Sequence, residues 1–395
     1  MSPVNSGAMS ASPVLLLCLS HLRWDLVVQR PHHLLRRAAR TYDVLYFEEV
    51  VRHDGPDMVR FRTDQSGVVV ATPHLSHDTA DTDAALRRLL DQMLGEVPHE
   101  SLITWYYTPM ALPFSGHLAA DVCVYDCMDE LSGFRFAPDA LGFLEDRLFS
   151  RCDLVFTGGR SLFEAKRHRH RDVFCLPSSI DISHFSKARA PMPDPVDQRH
   201  LPKPRIGFFG VIDERMDLDL VRSTADALPE TQFVMLGPVV KIGQDELPRG
   251  PNLHWLGPKS YDDLPAYLAN WQAGWMPFAL NEATRFISPT KTPEFLAAGL
   301  PLASTAISDV VTPYGHSGLV AIGDATTMPE ILRLSLTVPS PGWLGRVDQM
   351  LAGMSWDKTW AKMKDAIQTR LEPPTTDAML APAHGQQTAG VADHV

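Results

Sequence analysis

The feature that most constrains this chain is a rhythm of short, unbroken apolar runs separated by helix-like stretches, played twice. The first series is "VLLLCLS", "DVLYFEE", "GVVVAT", "LITWYYT", "VCVYDCM", "DLVFTGG" and "VFCLPSS". Continuous rather than alternating hydrophobicity is what parallel strands covered on both faces require. The stretch "PDALGFLEDRLFSRC" (138–152) has its apolar residues at helical spacing and fits a crossover helix between two such strands. Residues 186–204, rich in proline and charge, then interrupt the pattern and read as a linker. Beyond them a second series begins with "RIGFFGVI", "QFVMLGP", "LHWLG", "AGWMPF", "LPLAST" and "GLVAIG".

The expected fold class is therefore α/β, with two doubly wound, Rossmann-like domains. The predicted boundaries are 13–185 and 205–342, followed by a helical segment at 343–372 in which Trp343, Trp356 and Trp360 are available for packing. A flexible tail is expected at 1–12 and a disordered one at 373–395, where proline and small polar residues dominate. A length of 395 residues suffices for two separate cores. No internal repeat of solenoid length is present.

A formal charge of −11 argues against a general nucleic-acid binder, which usually shows a basic face. The five cysteines form no CxxC pair and read as reduced core residues of a cytoplasmic protein. "RHRHR" (167–171), followed directly by Asp172, reads as a solvated basic helix end, so no metal is expected. The first apolar run is too short for a membrane span and lacks a preceding basic segment. Any membrane contact, at the inner face, is expected to be peripheral.

The stretch "NEATRFISPTKTPEFLAAGLPLAST" (281–305) follows a buried strand and places polar groups where a strand hands over to a helix. Open α/β sheets bind ligands there, beyond the carboxyl ends of their strands. Thr292 is expected to cap the helix, Pro293 to occupy its first position and Glu294 its first turn. Unpaired backbone N–H groups and Lys291 would then face an anion such as a phosphate, with Glu294 left for neutral hydroxyls such as those of a ribose. The alternative is ordinary helix punctuation.

Two Rossmann-like halves with this loop in the second resemble the GT-B glycosyltransferases, in particular the bacterial group that includes teichuronic-acid-type enzymes. The resemblance covers roughly residues 13–370 and rests on "WDLVVQRPHHL", "VYDCMDELSGF", "GFFGVIDERMDLDL" and "SPTKTPEFLAAGLPLAST". It implies a cleft between the domains, with the sugar nucleotide on the C-terminal side and the acceptor on the N-terminal side. It also implies no cofactor and no metal, basic side chains and helix ends balancing the diphosphate. Arg215 and Lys291 are the candidates for that charge, unless Arg215 pairs instead with Asp213, Glu214, Asp217 or Asp219. Glu294 matches the family glutamate that contacts ribose, and Ser288, Thr290 and Thr292 complete the candidate donor site. The commonest retaining members carry another glutamate eight positions before Glu294; this sequence has Phe286 there, with Glu282 nearby at a different spacing.

In the N-terminal half, an acceptor hydroxyl must lose a proton, and an inverting enzyme needs a base for it. Asp129 is the first candidate and Asp126 the second; each could equally cap the helix near "ELSGF". Trp24 is a candidate for stacking on a sugar ring. Gln29, Arg30 and His33 are candidates for holding acceptor or donor phosphate, although His32 and His33 could equally be surface residues of the helix that Pro31 starts. "LPSSIDISHF" (176–185) resembles the family's turn into the linker. The expected function is transfer of a sugar from a nucleotide sugar to a cell-surface polysaccharide or glycolipid, with a carbohydrate or lipid-linked acceptor as partner. The rivals are an epimerase of the same fold and a non-catalytic nucleotide-sugar-binding scaffold.

Overall fold

The computed structural model of the chain describes residues 13–337 and 340–372, so the tails expected at 1–12 and 373–395 lie outside the described residues. The first sheet contains β1 (Val14–Leu19), β2 (Asp43–Phe47), β3 (Val51–His53), β4 (Met58–Thr63), β5 (Val69–Ser76), β6 (Ser101–Tyr106), β7 (Val122–Cys127), β8 (Leu154–Thr157) and β9 (Val173–Cys175). Their order is β3-β5-β2-β1-β6-β7-β8-β9, with β4 antiparallel against β5. The apolar runs of the first series all become strands. Strands β3 and β4 were not expected, because β4 reads "MVRFRT" at a solvated sheet edge and carries no apolar run.

The second sheet runs β12-β11-β10-β13-β14-β15 and its strand pairs are parallel. These strands are β10 (Arg205–Phe209), β11 (Gln232–Leu236), β12 (Leu253–Gly257), β13 (Ala273–Met276), β14 (Leu302–Ser304) and β15 (Val320–Ile322). In each sheet the chain reverses its direction of winding at one place: between β1 and β6 in the first, and between β10 and β13 in the second. Such a reversal opens a crevice at the carboxyl ends of the strands.

Helices of seven residues or more among the described residues are α1 (Arg30–Ala38), α2 (Thr82–Gly95), α3 (Leu141–Arg151), α4 (Arg160–Lys166), α5 (Leu218–Ala227), α6 (Lys291–Ala297), α7 (Met328–Ser335), α8 (Trp343–Leu351) and α9 (Trp356–Leu371). Local chemistry explains several starts. Asp81 accepts the Ala84 N–H at 2.9 Å, Asp217 the Leu220 N–H at 2.8 Å, and Ser355 the Lys358 N–H at 3.1 Å, each satisfying a donor that the first turn leaves unpaired.

Side chains alternate along β1: Leu15, Leu17 and Leu19 enter the apolar cluster on one face of the sheet, Leu16 and Cys18 the cluster on the other. A third cluster fills the second domain and takes in Ile180 and Phe185, which the sequence had placed in the first. The expected linker is fastened to the second domain: Arg205 pairs with Asp194 at 2.6 Å, Trp271 Nε1 donates to Gln198 at 3.0 Å, and Tyr267 Oη donates to Asp197 at 2.7 Å. Helix α8 packs there through Trp343, Val347 and Leu351. Helix α9 does not. It crosses back, and Trp356, Trp360, Met363 and Ile367 complete a cluster of the first domain. No helix among the described residues is long and apolar enough to cross a membrane.

Candidate functional site

The carboxyl ends of the two sheets face each other across a cavity of about 710 Å³. Its polar residues come from turns that leave the strands beside the two crevices. Ser20 and His21 follow β1, Thr108 follows β6, Asp129 follows β7, Asp213 and Arg215 follow β10, and Lys241 lies beyond β11. Gln29, at the N-cap of α1, also lines it.

Asp129 lies where an acceptor-side base was expected. Its carboxylate takes no hydrogen bond from any described residue, and the short helix after it (Leu131–Gly133) has no side-chain cap. Neither Asp126 nor Asp129 therefore caps "ELSGF". Burial raises the Asp129 pKa, against the opposing pull of Arg215 and Lys291. The same three groups thus share one electrostatic field across the two domains.

Lys291 opens α6. It forms no ion pair within 4 Å among the described residues, and its ammonium lies 5.9 Å from the centre of the Phe208 ring. Burial lowers its pKa, Glu294 acting in the other direction. Gly210, directly after β10, makes room for it: a Cβ there would collide with the Lys291 side chain, and its φ of +135° also suits glycine. Glu294 is 8% exposed; its carboxyl group receives no hydrogen bond from a described residue, and burial lifts its pKa to about 7 although Lys291 pulls it down. These are a cation and a carboxyl group without side-chain partners among the described residues, where buried polar groups normally find one; neither lines the 710 Å³ cavity, but the Lys291 charge acts on Asp129 and Arg215, which do.

Arg215 is less free. Its guanidinium forks onto Asp213, Nε to Oδ1 at 2.9 Å and Nη2 to Oδ2 at 2.7 Å, one of the pairings that competed with ligand binding in the sequence reading. It nevertheless lines the cavity and lies 5.3 Å from the centre of the Phe134 ring of the opposite domain.

Several sequence candidates fall away. Arg30 and Asp126 form a buried ion pair, Nη2 to Oδ1 at 2.8 Å, and Arg30 Nη1 also donates to the Leu176 carbonyl at 2.8 Å. With Arg30 2% exposed and Asp126 fully buried, neither reaches a ligand. Burial alone would lower the Arg30 pKa, but Asp126 outweighs it and leaves it raised. Trp24 is a core residue: it stacks near His32, donates from Nε1 to Asp64 at 3.2 Å and offers no face to a sugar. His33 stacks on Trp356 at 4.6 Å and meets Tyr261 edge-on at 5.7 Å; burial pushes its pKa to about 3, so it is neutral and holds no phosphate by charge. His32 is buried too, not a surface residue. Thr292 does not cap α6, which begins earlier, at Lys291; its hydroxyl turns into the core against Met276 Sδ at 3.7 Å. Thr290 occupies the N-cap position without a side-chain cap bond. Ser288 lines a different, smaller cavity of about 340 Å³ with Arg160, Pro289 and Asp309.

Sequence reading missed His21, Phe134 and Lys241. Burial, with Lys241 assisting, lowers the His21 pKa to about 4, and its Nδ1 is buried without a partner. Its signal was available: it is a polar residue right after a buried strand, where ligands bind in such sheets. Phe286, in place of the family glutamate, packs against the first domain's core. Among the described residues no group of three His, Cys, Asp or Glu side chains is placed to hold a metal ion.

No family model matches the chain. Over 257 residues it is 26% identical to a Bacillus subtilis (strain 168) protein whose name assigns it to teichuronic acid biosynthesis as a glycosyltransferase. That match covers 59% of this chain and 64% of the relative, so the chain spans less than two thirds of the relative's length. Among solved structures, the sucrose-phosphate synthase of Thermosynechococcus elongatus superposes with a TM-score of 0.67 at 13% identity, covering 90% of this chain and 98% of that one. An Escherichia coli trehalose-6-phosphate protein bound with UDP-2-fluoro glucose gives 0.64 at 12%, covering 91% and 99%. A UDP-forming trehalose-phosphate synthase of Burkholderia xenovorans, in complex with glucose-6-phosphate, gives 0.63 at 12%, covering 90% and 99%. The fold is thus shared nearly end to end: two doubly wound α/β domains facing across a cleft, the GT-B arrangement expected from the sequence.

Proposed function

We propose that this chain is a glycosyltransferase that moves a sugar from a nucleotide-sugar donor to a carbohydrate acceptor bound in the cleft. One observation supports the reading: Lys291 and Glu294, a cation and a carboxyl group without side-chain partners among the described residues, lie together in the first turn of α6, near enough to Asp129 of the cavity for the Lys291 charge to act on it. Lys291 balances the donor diphosphate, and Arg215 adds to it when its Asp213 pair opens or turns. Glu294 accepts the ribose hydroxyls. Asp129 takes the proton from the attacking acceptor hydroxyl; its raised pKa brings it closer to the operating pH of a general base. The charge balance is assigned to side chains, so the reaction is read as using no cofactor beyond the donor. The names of the relatives support this reading over an epimerase or a binding scaffold. Peripheral contact with a membrane carrying the acceptor remains part of the proposal.

The test is a thermal-shift screen against UDP-, GDP-, ADP- and TDP-sugars, followed by calorimetry on the parent and Lys291→Ala. A ligand at 100 times its dissociation constant stabilises the native state by roughly 2.7 kcal/mol, which such a screen detects. Lys291→Ala should lose about 1.5 to 3 kcal/mol of affinity for the sugar nucleotide and little for the free nucleoside. Equal losses for both ligands would remove the diphosphate from this loop.

A further inference from the structure

The smaller cavity, of about 340 Å³, lies at the low end of the range that small ligands occupy. Its walls come from residues 176–179 after β9, from the second domain around Tyr314, and from the first two turns of α9. Charge is lopsided there. Lys358, Lys362 and Arg160 line it against a single acid, Asp309, and both oxygens of that carboxylate already accept N–H groups, of Arg160 at 2.8 Å and of Ser161 at 2.9 Å. Arg160 is spent in part on Glu164, 2.8 Å away. Lys358 donates to the Ala352 carbonyl at 3.2 Å, which leaves its charge unbalanced, and Lys362 forms no ion pair with a described residue. The sixteen-residue α9 adds the positive end of its dipole.

Hydroxyl groups give an independent sign. Ser179 is 3% exposed, and its hydroxyl bonds no described residue although it is not sealed off; the surface it keeps opens on the cavity. Tyr314, 7% exposed, finds for its Oη only the Met354 sulfur at 3.8 Å, a weak acceptor. Burial, with Asp309 assisting, lifts the Tyr314 pKa to about 12, so the group stays a donor. Buried polar groups normally have good partners, and here two lack one beside two unbalanced ammonium groups.

We propose that this cavity binds a small polyol carrying a phosphate ester, the phosphate between Lys358 and Lys362 at the start of α9 and the polyol hydroxyls against Ser179 and Tyr314. A phosphate monoester carries about −1.5 to −2 charges at neutral pH, which two compact ammonium groups balance better than they would a carboxylate's single charge. The assignment rests on the cavity alone and is independent of the glycosyltransferase reading. Because the walls come from both domains, occupancy favours the domain arrangement that forms them.

The probe is glycerol 3-phosphate, titrated calorimetrically into the full chain in parallel with glycerol, glycerate and inorganic phosphate. Glycerol 3-phosphate should bind at least tenfold more tightly than each of the other three. Lys362→Ala, at an exposed position, and Ser179→Ala should each weaken it at least fivefold. Lys364→Ala removes the same charge from the same helix at a residue outside the cavity and should change nothing. Equal affinity for glycerate, binding indifferent to Lys362→Ala, or an equal loss in Lys364→Ala overturns the inference. So does a loss in Lys291→Ala, which would place the ligand in the cleft instead.

Discussion

Asp126 and Asp129 belong to one short stretch of chain, yet only one of them is free to exchange a proton with a ligand. The Asp126 carboxylate is consumed by Arg30, and removing one partner of such a buried pair leaves an uncompensated charge at a cost of about 3 to 5 kcal/mol. Asp126→Asn should therefore lower the melting temperature markedly. Asp129→Asn should leave melting and donor affinity nearly intact while cutting turnover about a hundredfold or more, as loss of a general base does. Product stereochemistry followed by NMR completes the test: a retained anomeric configuration removes Asp129 as an inverting base. The sequence shows two aspartates at a strand end, but which one meets an arginine depends on α1 arriving from far along the chain. Glu294 makes a pH prediction. Its folded pKa is about 7, raised by burial above the ordinary 4.5, so the folded state favours the protonated form. The stability it contributes is full below the unfolded value and is lost as pH rises through 7, about 3 kcal/mol in all. Glu294→Gln should flatten the fall in melting temperature between pH 5 and pH 8. In the parent, affinity for ribose-containing donors should rise across the same window as the carboxylate forms. A mutant that melts with the parent's pH profile would mean that Glu294 is not the titrating group.

Elements are held in place by chemistry that sequence pattern reveals unevenly. Unbroken apolar runs marked the central strands because burial on both faces demands them, and the edge strand β4 escaped because an edge makes no such demand. Helix α4 shows a further blind spot. Its N-cap is Gly159, which offers no side chain, and the missing acceptor comes from the other domain: Asp309 takes the N–H of Arg160 at 2.8 Å and of Ser161 at 2.9 Å. No spacing rule connects residues so far apart. Asp309→Ala should cost about 1 to 2 kcal/mol by removing the cap. Because the bond joins the domains, hydrogen exchange of the Arg160 and Ser161 amides should speed up in the variant, while amides of β1 stay protected. Unchanged exchange at those two amides would mean that the latch is not populated in solution.

At the scale of the molecule, two domains were legible from two series of strands, while the stretch read as a linker at 186–204 is fastened to the second domain. The destination of α9 was not. Its tryptophans read simply as apolar residues available for packing, and helical periodicity does not say which sheet a face will cover. Trp356 stacks on His33, Trp360 lies 6.2 Å from Trp105, and Asp357 pairs with Arg37 at 2.9 Å. Trp356→Ala should destabilise the first domain by about 3 to 5 kcal/mol, read as a lower first transition in calorimetry together with faster amide exchange in α1. A loss confined to the second domain's transition would contradict that assignment. The return of α9 also bears on how the protein is made. At about 5 to 20 residues per second a ribosome takes roughly ten to forty seconds to pass from β9 to the end of α9. Throughout that interval one face of the first sheet waits for Trp356, Trp360, Met363 and Ile367, so the half of the molecule that is translated first is completed last.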